Sequence, residues 1–503
     1  MRPTLAAASL FLVGIACGEK VDPELAEPAV TDVEGARLER MYAVRGPDRK
    51  IHAGGYPGSA RPLMPIELRL NGQVLGSTVA DQSGRFRLVV DSDAAAIELV
   101  LPEASISFRV RDAESGRSSA PRSRWSGLGN VPNDVAALPD GTLAVARSGD
   151  NAVGVISPSG ELQLGVRLPS VEEGGRELRA NPWFVAALDE QRVVTTAYGQ
   201  RRVFIVDLSS RAIESTLDLA DEVVLPSAFK LTRPFDVDEN GTLETEVTRF
   251  VPKGPQGTAI SGHELFATFT SVVSASEGTE LPVVLPGVLA RWNLEAPATP
   301  PETLVLPALD PQEVRVSPRS TLWVVCSGAL ARSGGPTRAI SPGALVEVDP
   351  STMQVLRSVP LGDFGPSSAI ERSDGMLWVS SLVRGRVGLF HPDESAPRQV
   401  VAVSEEEVDS VFRLTPFFDG LAFVPSFDTD RLHVLDLTTG ELNPPPFFAP
   451  LVLGPGLPII SGLQVVALRP GRPGVDFVGP DAFALLGLAS QVVPIELRKL
   501  FGP

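Results

Sequence analysis

Reactive side chains are scarce in this sequence. Its 503 residues include two cysteines, four histidines and three tyrosines. Cys17 and Cys326 are too few for a disulfide framework or a cysteine-rich zinc module. His52, His263, His391 and His433 form no His-x-His or His-x-x-x-His pair, so the usual zinc-hydrolase spacing is excluded. The G-x-S-x-G elbow, the P-loop and the dinucleotide glycine fingerprint are missing as well. Positive charge is in deficit: 44 Lys and Arg stand against 61 Asp and Glu, a net charge of −17. With no dense Lys/Arg stripe to offset it, that balance repels phosphate backbones and excludes nucleic acid as a partner. No apolar run is long enough to cross a bilayer.

What is abundant is punctuation. Gly 46 and Pro 46 are spread along the chain rather than clustered, and 43% of residues are hydrophobic. That combination excludes low-complexity disorder and predicts many short strands joined by turns around an ample core. Cys326, inside "TLWVVCS", reads as a small apolar core residue. His433 alternates with apolar neighbours and is expected on a strand face open to water; His263 falls in a turn and His391 at a strand end.

The N-terminus has its own pattern. "MRPTLAAASLFLVGIAC" carries one positive charge, then an apolar run from Leu5 to Ala16 of secretory length, ending at Cys17. The polar stretch "GEKVDPELAEPAVTDVEG" follows, a flexible acidic tether over residues 18–36. Residues 1–17 resemble a bacterial lipoprotein signal, with Gly14 where that signal usually has leucine. The resemblance implies acylation of Cys17 and a membrane partner through that lipid anchor. It also implies an outer-membrane location facing periplasm or cell surface, or plain secretion if Cys17 is not acylated.

Residues 37–122 then read as a small β-sandwich. "PIELRLNGQVLGS" alternates up to a two-residue Asn71-Gly72 hairpin turn, and "TVADQSGRFRLVVDSD" repeats the pattern around Ser83-Gly84. "AAIELVLPEASISFRVRD" supplies two more strands. "ADQSGRFRL" is similar to bacterial Ig-like and carboxypeptidase-regulatory-type modules, which implies a spacer.

From residue 123 onward one short sentence recurs. Its strand core is "GVIS" at 154, "FIVD" at 204, "ARWN" at 290, "VEVD" at 346, "GLFH" at 388, "HVLD" at 433 and "VPIE" at 493. Before each lies a second strand, such as "TLAVARS", "TLWVVCS" or "MLWVSSL", and before that an apolar strand ending in a turn. Seven copies of three or four alternating strands predict an all-β, seven-bladed β-propeller over residues 123–503, with six blades as the alternative if one copy is misread. A lone four-stranded sheet with two apolar faces is unstable, and stacking in a ring buries both. Trp323 and Trp378 occupy matching positions, as inter-blade packing residues should. The last copy lacks room for an outermost strand, so residues 119–128 are expected to supply it. "SGDNAVGVISPSGEL" and "TDRLHVLDLTTGEL" resemble YVTN/NHL-type propeller repeats, which imply architecture more firmly than activity.

Three insertions interrupt the copies: residues 221–255, 272–287 and 328–343. Antiparallel strand order puts all three on one rim in neighbouring copies, a placement that suits recognition of a protein, small-molecule or glycan ligand. Within the first, Asp236, Asp238, Asn240, Thr242 and Glu244 hold positions 1, 3, 5, 7 and 9 around Gly241, the spacing that wraps oxygen ligands around Ca²⁺; position 12 is Val247 rather than Glu. No other cofactor is implied. "VPNDVAALPDG" resembles the Asn-bearing strand of six-bladed, gluconolactonase-type lactonases, which implies an alternative metal-dependent hydrolase using Asn133, Asn181 and Glu313. The corresponding aspartate is missing, so the favoured expectation is a non-catalytic binding scaffold.

Overall fold

The computed structural model describes residues 36–112, 125–126, 128–173, 175–219, 221–238, 240–274, 281–331, 336–406, 408–417, 420–453, 462–469 and 482–495. Cys17 and most of the acidic tether lie outside them. The chain is all-β, 57% strand and 2% helix, and among the described residues no sheet closes on itself.

Residues 41–112 make two four-stranded sheets. Met41–Arg45, Ile51–Gly55, Phe86–Val90 and Arg111–Asp112 form one; Pro65–Leu70, Gln73–Val79, Ala96–Leu101 and Ala104–Arg109 form the other. Their inward residues, among them Met41, Ile51, Ile66, Leu68, Leu99 and Phe108, share one apolar core. The turn at Asn71 (φ 50°) and Gly72 (φ 81°) has both central residues left-handed, as a tight hairpin of this twist requires. The Ser83-Gly84 turn differs from expectation: the strands on either side enter different sheets. Gly84 (φ 80°) lies so close to the Ala60 carbonyl that a Cβ would sit 2.0 Å from its oxygen, which forces the chain across the core there.

Beyond residue 124 the described residues form seven further four-stranded antiparallel sheets, I to VII. Their first strands are Pro132–Ala137, Pro182–Ala187, Pro255–Ser261, Pro311–Val316, Pro366–Glu371, Thr415–Phe417 and Leu463–Leu468. Every segment quoted above as a second or third strand is one, from Leu143–Arg147 and Ala152–Ile156 in sheet I to Ala482–Leu486 and Gln491–Ile495 in sheet VII. Second strands such as Leu377–Ser381 are buried on both faces, so they are apolar or small throughout. Fourth strands such as Gln354–Pro360 alternate exposed and covered residues, because one face meets water.

The apolar cores lie between sheets rather than inside them. Clusters straddle I and II, II and III, and onward to VI and VII, and a further cluster joins Val465, Phe483 and Leu485 of sheet VII to Val135, Val145 and Ile156 of sheet I. Trp323 reaches from sheet IV to the Glu371 carboxylate of sheet V (3.0 Å), and Trp378 from V to the Leu437 carbonyl just past the third strand of sheet VI (2.8 Å). The fourth strand of sheet VII is Trp125–Ser126, from the far end of the chain, paired with Gln491 and Val492. Cys326 is fully buried, and burial pushes its thiol pKa upward. His263 and His391 sit where expected, but His433 is buried rather than facing water, with Asn443 against Nδ1 (3.2 Å). Burial, with nearby Arg431, lowers its pKa to about 4.

Candidate functional site

Five first strands open in the same way: "VPND" at 131, "NPWF" at 181, "GPQG" at 254, "DPQE" at 310 and "GPSS" at 365. The residue before each proline is left-handed (φ 49° at Val131, 49° at Asn181, 67° at Gly254, 53° at Asp310, 60° at Gly365). Proline has no amide hydrogen for the ladder, so it sits at a strand start, and the register shifts just after it in all five. Sheet VII repeats the shift after Leu463. The residue that follows lines a central cup: Asn133, Trp183, Gln256, Gln312, Ser367 and Gln464, with Phe412 ahead of the sixth strand. The cup admits about 70 Å³ of water, enough for several molecules.

One residue deeper, side chains tie neighbouring sheets together. Asp134 Oδ2 accepts from the Val185 amide (3.0 Å), Glu313 Oε2 from the Ala369 amide (3.1 Å) and Ser368 Oγ from the Leu414 amide (3.1 Å). Arg413 crosses the middle. Its Nη1 meets Asp134 Oδ1 at 3.0 Å, its Nε lies 3.7 Å from Glu313 Oε1, and its guanidinium stacks 4.2 Å from the Phe184 ring. Arg315 donates to Glu313 Oε1 (2.7 Å) and to the Leu414 carbonyl (2.9 Å). Phe184, Glu313, Arg413 and Val465 border the cup on one side and a second chamber of about 300 Å³ on the other. Burial raises the Asp134 pKa, opposed by Arg413 and by backbone amides. Near the cup, Asp310 is buried, accepts from Ser327 Oγ (2.7 Å), and is raised by burial to about 6, with Ser327 and Gln312 pulling the other way.

Two of the three residues implied by the lactonase resemblance, Asn133 and Glu313, reach this channel. Asn181 does not line the cup; it is the left-handed turn residue before Pro182, and its amide donates to Asn151 Oδ1 (3.0 Å). Glu313 is taken up by two arginines and an amide, an environment that favours a cationic partner already in place. Among the described residues no three His, Cys, Asp or Glu side chains converge as metal ligands.

Residues 236–238 and 240–243 belong to the tip of a long hairpin, Val223–Phe235 with Glu244–Phe250. Asp236 accepts from the Asn240 and Gly241 amides (3.0 and 2.8 Å), and Asn240 Oδ1 from the Thr242 amide (2.8 Å). Asp238 accepts from Asn240 (2.8 Å to Nδ2), so these oxygens hold the turn together. Glu244 has already entered the strand opposite Phe235.

All three insertions contain hairpins, the other two being short and pairing Val272–Ser274 with Val283–Val284 and Leu330–Ala331 with Arg338–Ala339. They share the rim on which the first strands begin, and therefore the rim of the cup. The first two touch: Thr232 donates to the Pro282 carbonyl (2.7 Å), and Arg233 to the Leu281 carbonyl (3.1 Å). The third lies against the turn before sheet V, where Leu330 approaches Gly365. Sequence patterning gave no sign of a fourth hairpin on this rim, Val171–Glu173 with Arg176–Leu178, nor of the place Arg413 takes. The repeated Pro-x opening was the available signal for the cup.

No family model matches this chain, and no curated protein does. Among solved structures, a streptogramin B lyase is similar over 74% of this chain and 95% of its own, at 9% identity and TM-score 0.47. A virginiamycin B lyase from Staphylococcus aureus is similar over 72% and 94%, at 10% identity and TM-score 0.45. Hydrazine synthase from Kuenenia stuttgartiensis is similar over 73% and 95%, at 12% identity and TM-score 0.45. At this level of similarity they say nothing about activity or ligand.

Proposed function

We propose that the chain is a seven-bladed β-propeller preceded by a small β-sandwich, and that it serves as a non-catalytic binding scaffold of the cell envelope. Seven sheets with cores between neighbours, including VII with I, support the blade count. Recognition is assigned to the rim that carries residues 221–255, 272–287 and 328–343, around the cup. The observation that carries the non-catalytic reading is Arg413: it occupies both central carboxylates, Asp134 and Glu313, where a hydrolase would need them free for a metal or a proton. A Ca²⁺ ion at Asp236, Asp238, Asn240, Thr242 and Glu244 would brace the largest hairpin and is part of the proposal only as a structural ion.

Full-length protein made in a Gram-negative host with labelled palmitate should carry the label at Cys17 and lose it in Cys17→Ala. Purified and given Mg²⁺, Ca²⁺, Mn²⁺ or Zn²⁺, it should turn over no lactone in a broad panel. Metal-dependent turnover abolished by Glu313→Gln would overturn the scaffold reading in favour of the lactonase one.

A further inference from the structure

We infer that the cup is a subsite for one uncharged sugar ring at the end of a glycan, a conclusion that rests on the scaffold reading and names its ligand class. The wall chemistry points there. Gln464, Gln256 and Asn133 project amides into a space whose only full charges among the described residues, Arg413 with Asp134 and Glu313, are paired with one another. Such a lining rewards a ligand that both donates and accepts hydrogen bonds without carrying charge, as vicinal hydroxyls do.

Gln464 gives the clearest sign. Its Oε1 is buried and has no hydrogen-bond partner. A buried acceptor left unmade is costly, and turning the amide toward the cup would offer it to an entering hydroxyl. The amide lies over Gly487, whose missing side chain leaves it room: a Cβ there would meet Cδ, Nε2 and Oε1 alike at 2.8 Å.

Aromatic rings supply the apolar part. Trp183 belongs to sheet II and Phe412 precedes the first strand of sheet VI, so they face the cup from well-separated sheets. Each is braced from behind, Trp183 by Tyr198 (5.1 Å between ring centres) and Phe412 by Phe427 (5.0 Å). Preset aromatic faces suit the C–H face of a pyranose and lose little freedom when it binds. The chain's net charge of −17 disfavours an anionic glycan at long range. The cup is too small for more than one ring, so the rest of a glycan would run outward between the rim hairpins.

The test is titration calorimetry of the full chain against neutral mono- and disaccharides (glucose, galactose, N-acetylglucosamine, maltose, lactose, chitobiose), with galacturonate as the charged counterpart. At least one neutral sugar should bind, galacturonate should bind at least tenfold more weakly, and Gln464→Leu and Trp183→Ala should each weaken binding tenfold or more. Gln464→Glu should keep part of the affinity, and unchanged melting curves would show that the variants fold. No binding by any neutral sugar to 50 mM, or tighter binding of galacturonate, would overturn the subsite. Binding that survives both variants but disappears when residues 224–249 are replaced by a short turn would also overturn it, while leaving the rim scaffold standing. Metal-dependent lactone turnover, by contrast, would sink the scaffold reading itself.

Discussion

Asp310 shows how one side chain can be held in tension. It sits in a left-handed turn, buried, with hydroxyl and amide partners but, among the described residues, no cation to balance its charge. Its folded pKa of about 6 lies above the ordinary value of 3.8, so folding favours the protonated form. The stability linked to this group is complete below pH 4 and is lost as pH rises through 6. The loss amounts to about 3 kcal/mol at neutral pH, because each tenfold change in proton affinity is worth about 1.4 kcal/mol. Asp310→Asn keeps an acceptor for Ser327 and suits a positive φ. It should therefore raise the denaturation midpoint at pH 8 and leave it unchanged at pH 4, as urea titrations at the two values would show. His433 works the other way: its depressed pKa means that acidification from 6.5 toward 4 costs stability.

Among the elements, the two-residue strand Trp125–Ser126 matters beyond its length. It joins the start of the seven-sheet region to its last sheet, at Gln491 and Val492, and so fastens ends that lie more than 360 residues apart. Replacing Trp125-Ser126 by Pro-Pro removes whichever of the two amides faces Gln491–Val492, since adjacent N–H groups of a strand point to opposite sides, and stiffens the backbone around it. It should lower stability by about 2 kcal/mol, the scale of one or two net hydrogen bonds; an unchanged midpoint would mean that the ends are fastened elsewhere. Residues 119–128 were expected to supply this strand, and the pairing falls at Trp125–Ser126. The first strands were less legible. Their prolines look like loop punctuation, and only the register shift after each one turns Asn133, Gln256 and Gln464 toward a common axis.

At the scale of the whole molecule, the N-terminal sheets are not a loose spacer. Tyr42, Val44 and Tyr56 enter the same apolar cluster as Phe417, Phe423 and Phe447 of the sheet VI region, and Tyr56 donates to the Pro445 carbonyl. Arg85 pairs with Asp436 at 2.5 Å, a carboxylate with no exposure at all, and Arg87 lies 3.3 Å from Glu441 nearer the surface. Removing one partner of a buried pair strands the other. Arg85→Met should therefore cost about 3 kcal/mol, most of it recovered in Arg85→Met with Asp436→Asn, which drops the charge but keeps the acceptor for the Thr438 and Thr439 amides. If the single variant melts like the parent, the two parts are not coupled through this contact.

The sequence by itself determined the strands and their repetition. Alternation, turn residues and apolar runs are local consequences of which faces meet water, so the third-strand cores, the doubly buried second strands and the Trp323 and Trp378 contacts could all be read in advance. The tertiary structure alone decided what those strands bring together. Arg413 reaches Asp134 across 279 positions of chain, and it joins the neighbouring Arg315 on Glu313 although nothing near Glu313 in sequence announces it. Asn181 is a turn residue outside the cup lining, although a resemblance placed it at a site, and His433 is buried, although its local pattern suggested water. Which side chains meet at the axis depends on bulges and on packing between sheets, and those are set by contacts distant in sequence.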